Sequence, residues 1–338
     1  MLNSIKYIGK DESNILKGVL IFLIILAHNN ILLPVNSFTW SLIYTFHRTC
    51  FFILPFFYDW SPRKRQMNYV GKLIARTWIP YFITSCMVLG ISLYLKSVPE
   101  LSLNTFFAFL NGNEDYCEKY LGGRFLWFLP SFCSFSILLF FSRKNRLFQY
   151  MIAMLGIVVW GVDKEQFSLL ASYTFGGLPL ALSYYASGFV CKKIYDYFVL
   201  SRHLQPFKVC IYIFIALTIL LGISYGNSIY YKMIDLYKFI MPIIAFISLF
   251  YISIHVKSKF VKFMGKHSLP IYLLHLFVYN ALIKILGNQF WSGLLNFVLT
   301  ILITSMMAYI ISKYSYLRKL YTPRDFNEFI HFYKKSFN

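Results

Sequence analysis

The chain has 338 residues, of which 58% are hydrophobic and 14% charged, with a formal net charge of +20. A soluble domain runs nearer half apolar and a quarter charged, so this balance points to a polytopic membrane protein. It excludes disordered, collagen-like and secreted disulfide-rich classes, and the six cysteines form no disulfide framework, since only Cys117 falls in an external loop on the topology below.

Long apolar runs separated by short polar stretches predict ten helices, at 15–33, 38–58, 77–95, 125–142, 147–161, 171–190, 209–226, 239–256, 268–285 and 291–312. The expected fold is therefore an all-α membrane protein of about ten transmembrane helices, with residues 1–338 as a single membrane domain. Lys6 and Lys10 precede the first run as they would in a signal peptide. No small-x-small cleavage site follows it, only Asn29 and Asn30, so it is read as a retained helix. No internal repeat is found.

An even number of spans puts both termini on one side. With the N-terminus cytoplasmic, the inner segments hold 25 of the 33 lysines and arginines, while the outer loops are neutral overall. That bias assigns both termini to the cytoplasm and the chain to a cell inner membrane or plasma membrane as a multi-pass protein. The basic excess then serves the inner leaflet of the lipid bilayer and anionic cytosolic ligands, and nucleic acid is not needed as a partner. The outer loop 96–124 carries Glu100, Glu114, Asp115 and Glu118 and reads either as a solvated loop or as a lid. Near the C-terminus, Phe326, Phe329, Ile330 and Tyr333 recur at helical spacing beside Lys334 and Lys335, which predicts an interfacial helix over 324–335.

Ionisable residues inside spans are costly and are candidates for function. Lys17 and His28 lie eleven residues apart on the first helix. They share a face to within about 20° and are about 16 Å apart along the axis. A cation at the inner surface is thereby aligned with a deep imidazole, which suits a ligand with a charged head and a buried reactive end. The structural alternative is a snorkelling lysine and an unrelated histidine. His47 and Arg48 lie in the second span, where an arginine without a local acid needs water, backbone carbonyls or an anionic ligand. Lys72 and Arg76 are four apart on a helix entering the membrane, making one basic stripe able to hold phosphates. Trp127 at the outer end of the fourth span reads as a sugar-stacking residue or as a belt tryptophan. Ser268, Tyr272 and His275 share one stripe of the ninth span, as a hydrogen-bond ladder or as a site.

Five stretches, ILKGVLIFLIILAH (15–28), FHRTCFFIL (46–54), KLIARTWIPYF (72–82), LWFLPS (126–131) and GKHSLPIYLLH (265–275), occur in an order that resembles the acyltransferase 3 family of integral membrane O-acyltransferases. The family's Arg, ten residues and His maps to Lys17 and His28, and lysine keeps the charge without the bidentate fork. Its Met-Pro after Phe-His is replaced by Arg48-Thr49, and its paired arginines before Ile-Pro-Tyr stand as Lys72 and Arg76 with altered spacing.

The resemblance implies transfer of an acyl group, most often acetyl, from acyl-CoA (acetyl-CoA) to a carbohydrate or glycolipid hydroxyl. On that reading Lys17, Lys72 and Arg76 would bind the donor's phosphates. His28 would act as general base or as acyl carrier, and Tyr272, His275 or Arg48 would supply an oxyanion donor. His47, Arg48 and Trp127 would meet the acceptor. A transporter or lipid-linked glycan flippase with pathway-lining histidines is the competing class, and the near-absence of membrane carboxylates and the absence of inverted repeats argue against it. Zinc on His28, His47 and His275 is a third reading, but the chain has no local His pair and no metal is expected. The oligomeric state is open.

Overall fold

The computed structural model describes residues 7–58, 66–98, 100–162, 174–200, 205–226 and 228–330, and every regular element among them is helical. In chain order these are α1 (Lys10–Ala27), α2 (Phe38–Ile53), α3 (Gln66–Tyr94), α4 (Leu103–Asn111), α5 (Phe128–Ser142), α6 (Arg146–Gly161) and α7 (Leu178–Leu200). They continue with α8 (Gln205–Ser224), α9 (Ser228–His255), α10 (Lys259–Lys266), α11 (Ser268–Leu286), α12 (Phe290–Lys313) and α13 (Ser315–Tyr321). Local chemistry sets several starts. The Ser37 side chain accepts from the Trp40 N–H, Ser258 from Val261 and Asn145 from Phe148, each filling a helix N-cap.

Five described segments are long and apolar enough to cross a membrane: Tyr69–Tyr94, Arg124–Ser142, Leu236–His255, Ser268–Leu286 and Phe290–Lys313. The chain is a multi-pass membrane protein. Each of the ten apolar runs carries a helix, with differences at several ends: α3 and α9 begin at Gln66 and Ser228, well before 77 and 239, and α7 continues past 190 to Leu200. α1 stops at Ala27 instead of continuing to 33, and α2 passes at Leu54 into a short 3-10 turn over Leu54–Phe57 that contains Pro55. The sixth helix starts at Leu178, and its expected first residues, 171–173, lie outside the described residues. Of the amphipathic segment 324–335, residues 324–325 form a bend, 326–330 are helical, and 331–335 lie outside the described residues.

The polarity of α12 is inverted relative to a soluble helix. Its exposed stripe runs Trp291, Leu295, Val298, Leu302, Met306 and Tyr309, with Trp291 at 75% exposure. Asn296, Thr300 and Thr304 are fully buried on the opposite side. Apolar side chains face outward because the surrounding medium is lipid, and polar ones turn inward to find partners. Asn296 donates to the Tyr279 carbonyl at 3.2 Å, and the Thr300 hydroxyl donates to the Asn296 amide oxygen at 3.0 Å.

The chain forms two compact units. Unit 1 comprises residues 1–59 and 187–310, and unit 2 comprises 60–186 and 311–338. Within unit 1, α1 packs on α2, α9, α10 and α11. Its contact with the short amphipathic α10 is at backbone distance. A Cβ on Gly265 would stand 1.6 Å from the Asn14 carbonyl oxygen, and one on Gly18 would stand 2.1 Å from that of Val261. Lys262 of α10 pairs with Asp11 of α1 at the same junction. Deeper in unit 1, Phe57 meets Tyr195 and Phe246 at 4.9 and 4.8 Å, and the Lys192 ammonium lies 5.0 Å over the Phe57 ring and 2.6 Å from Asp196.

Within unit 2, α3 packs on α5 and α13. Tyr81 donates to the Ala108 carbonyl at 3.2 Å, and the Tyr185 hydroxyl donates to Ser142 at 2.7 Å. Arg318 grips Glu328, whose carboxylate also accepts the Arg324 N–H at 2.7 Å. Burial alone would raise the Glu328 carboxyl, but the Arg318 bonds and the Arg324 N–H hold it below the usual carboxylate range.

Two outcomes are expected. Gly265→Leu forces α10 off α1 and costs about 1–3 kcal/mol, the scale of overpacking, read as a lower thermal midpoint in detergent. Gly90→Ala, whose Cβ meets nothing within 4 Å, leaves that midpoint unchanged or raises it. A folded pKa below the unfolded one stabilises above the unfolded value and is lost as pH falls through the folded value. Acidification below the ordinary carboxylate range therefore lowers hydrogen-exchange protection in 322–330, read against the intrinsic rate at each pH, and Glu328→Gln removes that loss. Protection that does not change with pH in the native chain would contradict it.

Candidate active site

His28 caps the C-terminus of α1, with helical backbone angles (φ −88°, ψ −5°), and the chain turns immediately after it. A helix end within an apolar bundle leaves backbone groups that need partners. Asn29, fully buried, serves the turn that follows: its oxygen accepts the Leu32 N–H at 3.1 Å, and its amide donates to the Gly293 carbonyl on α12 at 2.9 Å. The next N–H, of Asn30, donates to the Tyr279 hydroxyl at 3.1 Å. Two adjacent asparagines thus fasten the turn to α11 and to the start of α12. Sequence alone gives them no such role.

The turn brings His28 against α11. The His28 and His275 rings meet edge-to-face at 5.0 Å, and Tyr272 lies 5.7 Å from His275 on its own helix. On the other side stands Tyr44 of α2. Its hydroxyl is 3.5 Å from His28 Nε2, its ring stacks on Trp40 at 4.1 Å, and the Arg48 guanidinium lies 5.2 Å over its face. The His47 ring packs 4.9 Å from Tyr44. Unit 1 therefore gathers His28, His47 and Arg48 around Tyr44, a residue that sequence reading missed, and His275 and Tyr272 join the group through His28. The signal for it was present, since Tyr44 precedes His47 and Arg48 by three and four positions and so lies on their side of α2.

All three histidines share one local device. Nδ1 of His28 and His47 reaches the carbonyl four residues back, Ile24 at 2.8 Å and Ile43 at 2.6 Å, and Nδ1 of His275 reaches Tyr272, three back, at 2.5 Å. A carbonyl only accepts, so each Nδ1 carries the hydrogen, and in the neutral ring each Nε2 carries the lone pair. Access separates them. His47 and His275 are sealed at 0% and 1% exposure, whereas His28 is only half-buried. His47 Nε2 is buried and has no hydrogen-bond partner among the described residues. Of the three lone pairs, the one on His28 can receive a proton from an incoming hydroxyl.

Lys17 lies half-buried on α1, on the face and at the spacing from His28 that a continuous helix requires. Lys72 and Arg76 belong to unit 2, where both are exposed one turn apart on α3 and Arg76 donates to the Arg324 carbonyl at 3.2 Å. Trp127, also in unit 2, is buried at 3% exposure, with its ring beside Phe128 and Tyr184. Its burial there leaves little face for a sugar. Among the described residues no group of three or more His, Cys, Asp or Glu side chains is placed to hold a metal ion.

A family model described as an acyltransferase domain matches residues 11–313. No curated protein and no solved structure matches the chain.

Asn29→Leu keeps the side-chain volume but strands the Gly293 carbonyl and the Leu32 N–H. It is expected to cost about 1–3 kcal/mol, while Tyr44→Phe, which keeps the ring between Trp40 and Arg48, leaves stability near that of the parent. Thermal unfolding in detergent checks both, and an unshifted midpoint for Asn29→Leu would show that the tether does not hold the turn.

Proposed function

The chain belongs to the acyltransferase family, and on that premise we propose that it moves an acyl group, taken as acetyl, from cytosolic acyl-CoA to a hydroxyl of a cell-surface polysaccharide, its lipid-linked precursor or a glycolipid. The proposed topology has ten spans, with both termini cytoplasmic, in a cell inner membrane or plasma membrane. The donor's phosphates meet Lys17 at the cytosolic end of α1, and the pantetheine arm follows that helix face toward His28. The roughly 16 Å between Lys17 and His28 suits a ligand that is anionic at one end and reactive at the other. Lys72 and Arg76, an exposed cationic pair on unit 2 taken by itself, keep a phosphate-binding role as part of the same proposal.

What supports His28 as the base is the hydrogen bond from its Nδ1 to the Ile24 carbonyl, which leaves the Nε2 lone pair toward a hydroxyl. In the proposed step the acceptor oxygen attacks the thioester carbonyl carbon as Nε2 takes the hydroxyl proton. The C–S bond then breaks, and the imidazolium returns the proton to the departing thiolate. The products are an ester and free coenzyme A. Charge on the carbonyl oxygen needs a donor, which the Tyr44 or Tyr272 hydroxyl or the Arg48 guanidinium supplies. Neutral His47 and His275 cannot donate from Nε2 in the tautomer described above, so they position their neighbours.

The test is transfer of radiolabelled acetyl from acetyl-CoA by the purified protein in detergent. His28→Ala is expected to lower the rate by about 10²–10⁴-fold with protein abundance unchanged. Lys17→Ala is expected to raise the KM for donor by about tenfold, with kcat little changed. Equal loss of activity and of folded protein in His28→Ala would mean a structural histidine, and no transfer by the parent protein would favour a flippase.

A further inference from the structure

Beside the His28–Asn30 turn, unit 1 opens into a cavity of about 540 Å³, lined by Asn30, Tyr279, Asn280, Asn288 and Phe290, with two isoleucines between them. Its position follows from contacts already described. Asn30 is two residues beyond His28, and Tyr279 is one helical turn beyond His275 on α11. The bond from the Asn30 N–H to the Tyr279 hydroxyl joins these two walls. Neither wall belongs to the sequence stretches that carry the family resemblance.

The chemistry of the lining is specific. Three carboxamides each offer two donors and an acceptor, and Phe290, 60% exposed, offers an open aromatic face. No lining residue is charged. Alternating donors and acceptors beside an aromatic face match a sugar ring, whose hydroxyls both give and accept while its C–H face packs on the phenyl. A lipid tail in the same place would bury three carboxamides without partners, and an anionic ligand would find no cation among the lining residues.

We propose that this cavity binds a neutral, polyhydroxylated sugar unit of the acceptor and presents one of its hydroxyls toward His28. The assignment of the hydroxyl's destination rests on the acyltransferase reading above; the sugar site itself does not.

The probe is the set of oligosaccharides released by mild acid from the surface glycans of the cells that make the protein, split by ion exchange into neutral and anionic fractions. Saturation-transfer NMR on the full chain in detergent reads binding without any donor. The neutral fraction is expected to bind the parent protein, and Asn280→Ala/Asn288→Ala is expected to weaken that binding by at least about tenfold, the loss of one or two hydrogen bonds. Phe290→Ala provides a second variant should the double one fail to elute as a monodisperse species. Binding by the anionic fraction alone, binding by neither fraction, or equal binding by folded variants would each overturn the proposal. Two further results separate the readings. Sugar binding with transfer untouched by His28→Ala would remove the catalytic assignment and leave the sugar site standing. Loss of transfer in His28→Ala without sugar binding would do the reverse.

Discussion

The candidate site depends on a helix ending where helices are costly to end. α1 stops at Ala27, and the freed backbone groups of the turn would have no partner in an apolar bundle. Asn29 and Tyr279 provide those partners through bonds to the Leu32 and Asn30 N–H groups, and Asn29 also reaches the Gly293 carbonyl. This satisfaction of backbone polarity holds His28 at a chain break instead of midway along a helix face. At such a break an imidazole projects from the last turn and retains access that a mid-helix position would deny it. His47 and His275, both within their helices, are sealed.

The same medium sets the inside-out character of α12. Because its outer stripe faces lipid, apolar burial does little to choose which side turns inward, and the buried amide and hydroxyls of Asn296, Thr300 and Thr304 make that choice. Asn296 then bonds the Tyr279 carbonyl, the residue whose hydroxyl receives the Asn30 N–H. One polar network therefore orders α12, α11 and the His28 turn together. At the other end of α1, backbone contact with α10 through Gly18 and Gly265 fixes the helix that carries Lys17. The two ends of α1 are held by different means, a polar network around His28 and glycine contact near Lys17.

Three imidazoles in one region, all with Nδ1 given to their own helix, are chemically equivalent until access and neighbours differ. Only His28 combines partial exposure with a hydroxyl near Nε2. Tyr44 is the common neighbour of His28, His47 and Arg48. It meets His28 through its hydroxyl, His47 through its ring edge and Arg48 through its face, so the guanidinium in the second span lies against an aromatic face.

Composition and apolar periodicity were enough to read a multi-pass helical membrane protein, because a lipid medium demands long apolar helices whatever their packing. The rarity of ionisable residues in those helices also made His28, His47, Arg48 and His275 legible as a set, since each is costly there without a purpose. The sequence could not show that α1 breaks at His28, because Asn29 and Asn30 sit inside an apolar run that continues to 33, and their partners Gly293 and Tyr279 approach from more than 240 positions away. Nor could it show that Tyr44 joins the histidines, that Trp127 is buried, or that Asn280 and Asn288 face a common cavity with Asn30. Those facts are contacts between segments remote in the chain, and only the packing of helices, which fixes which side chains meet, decides them.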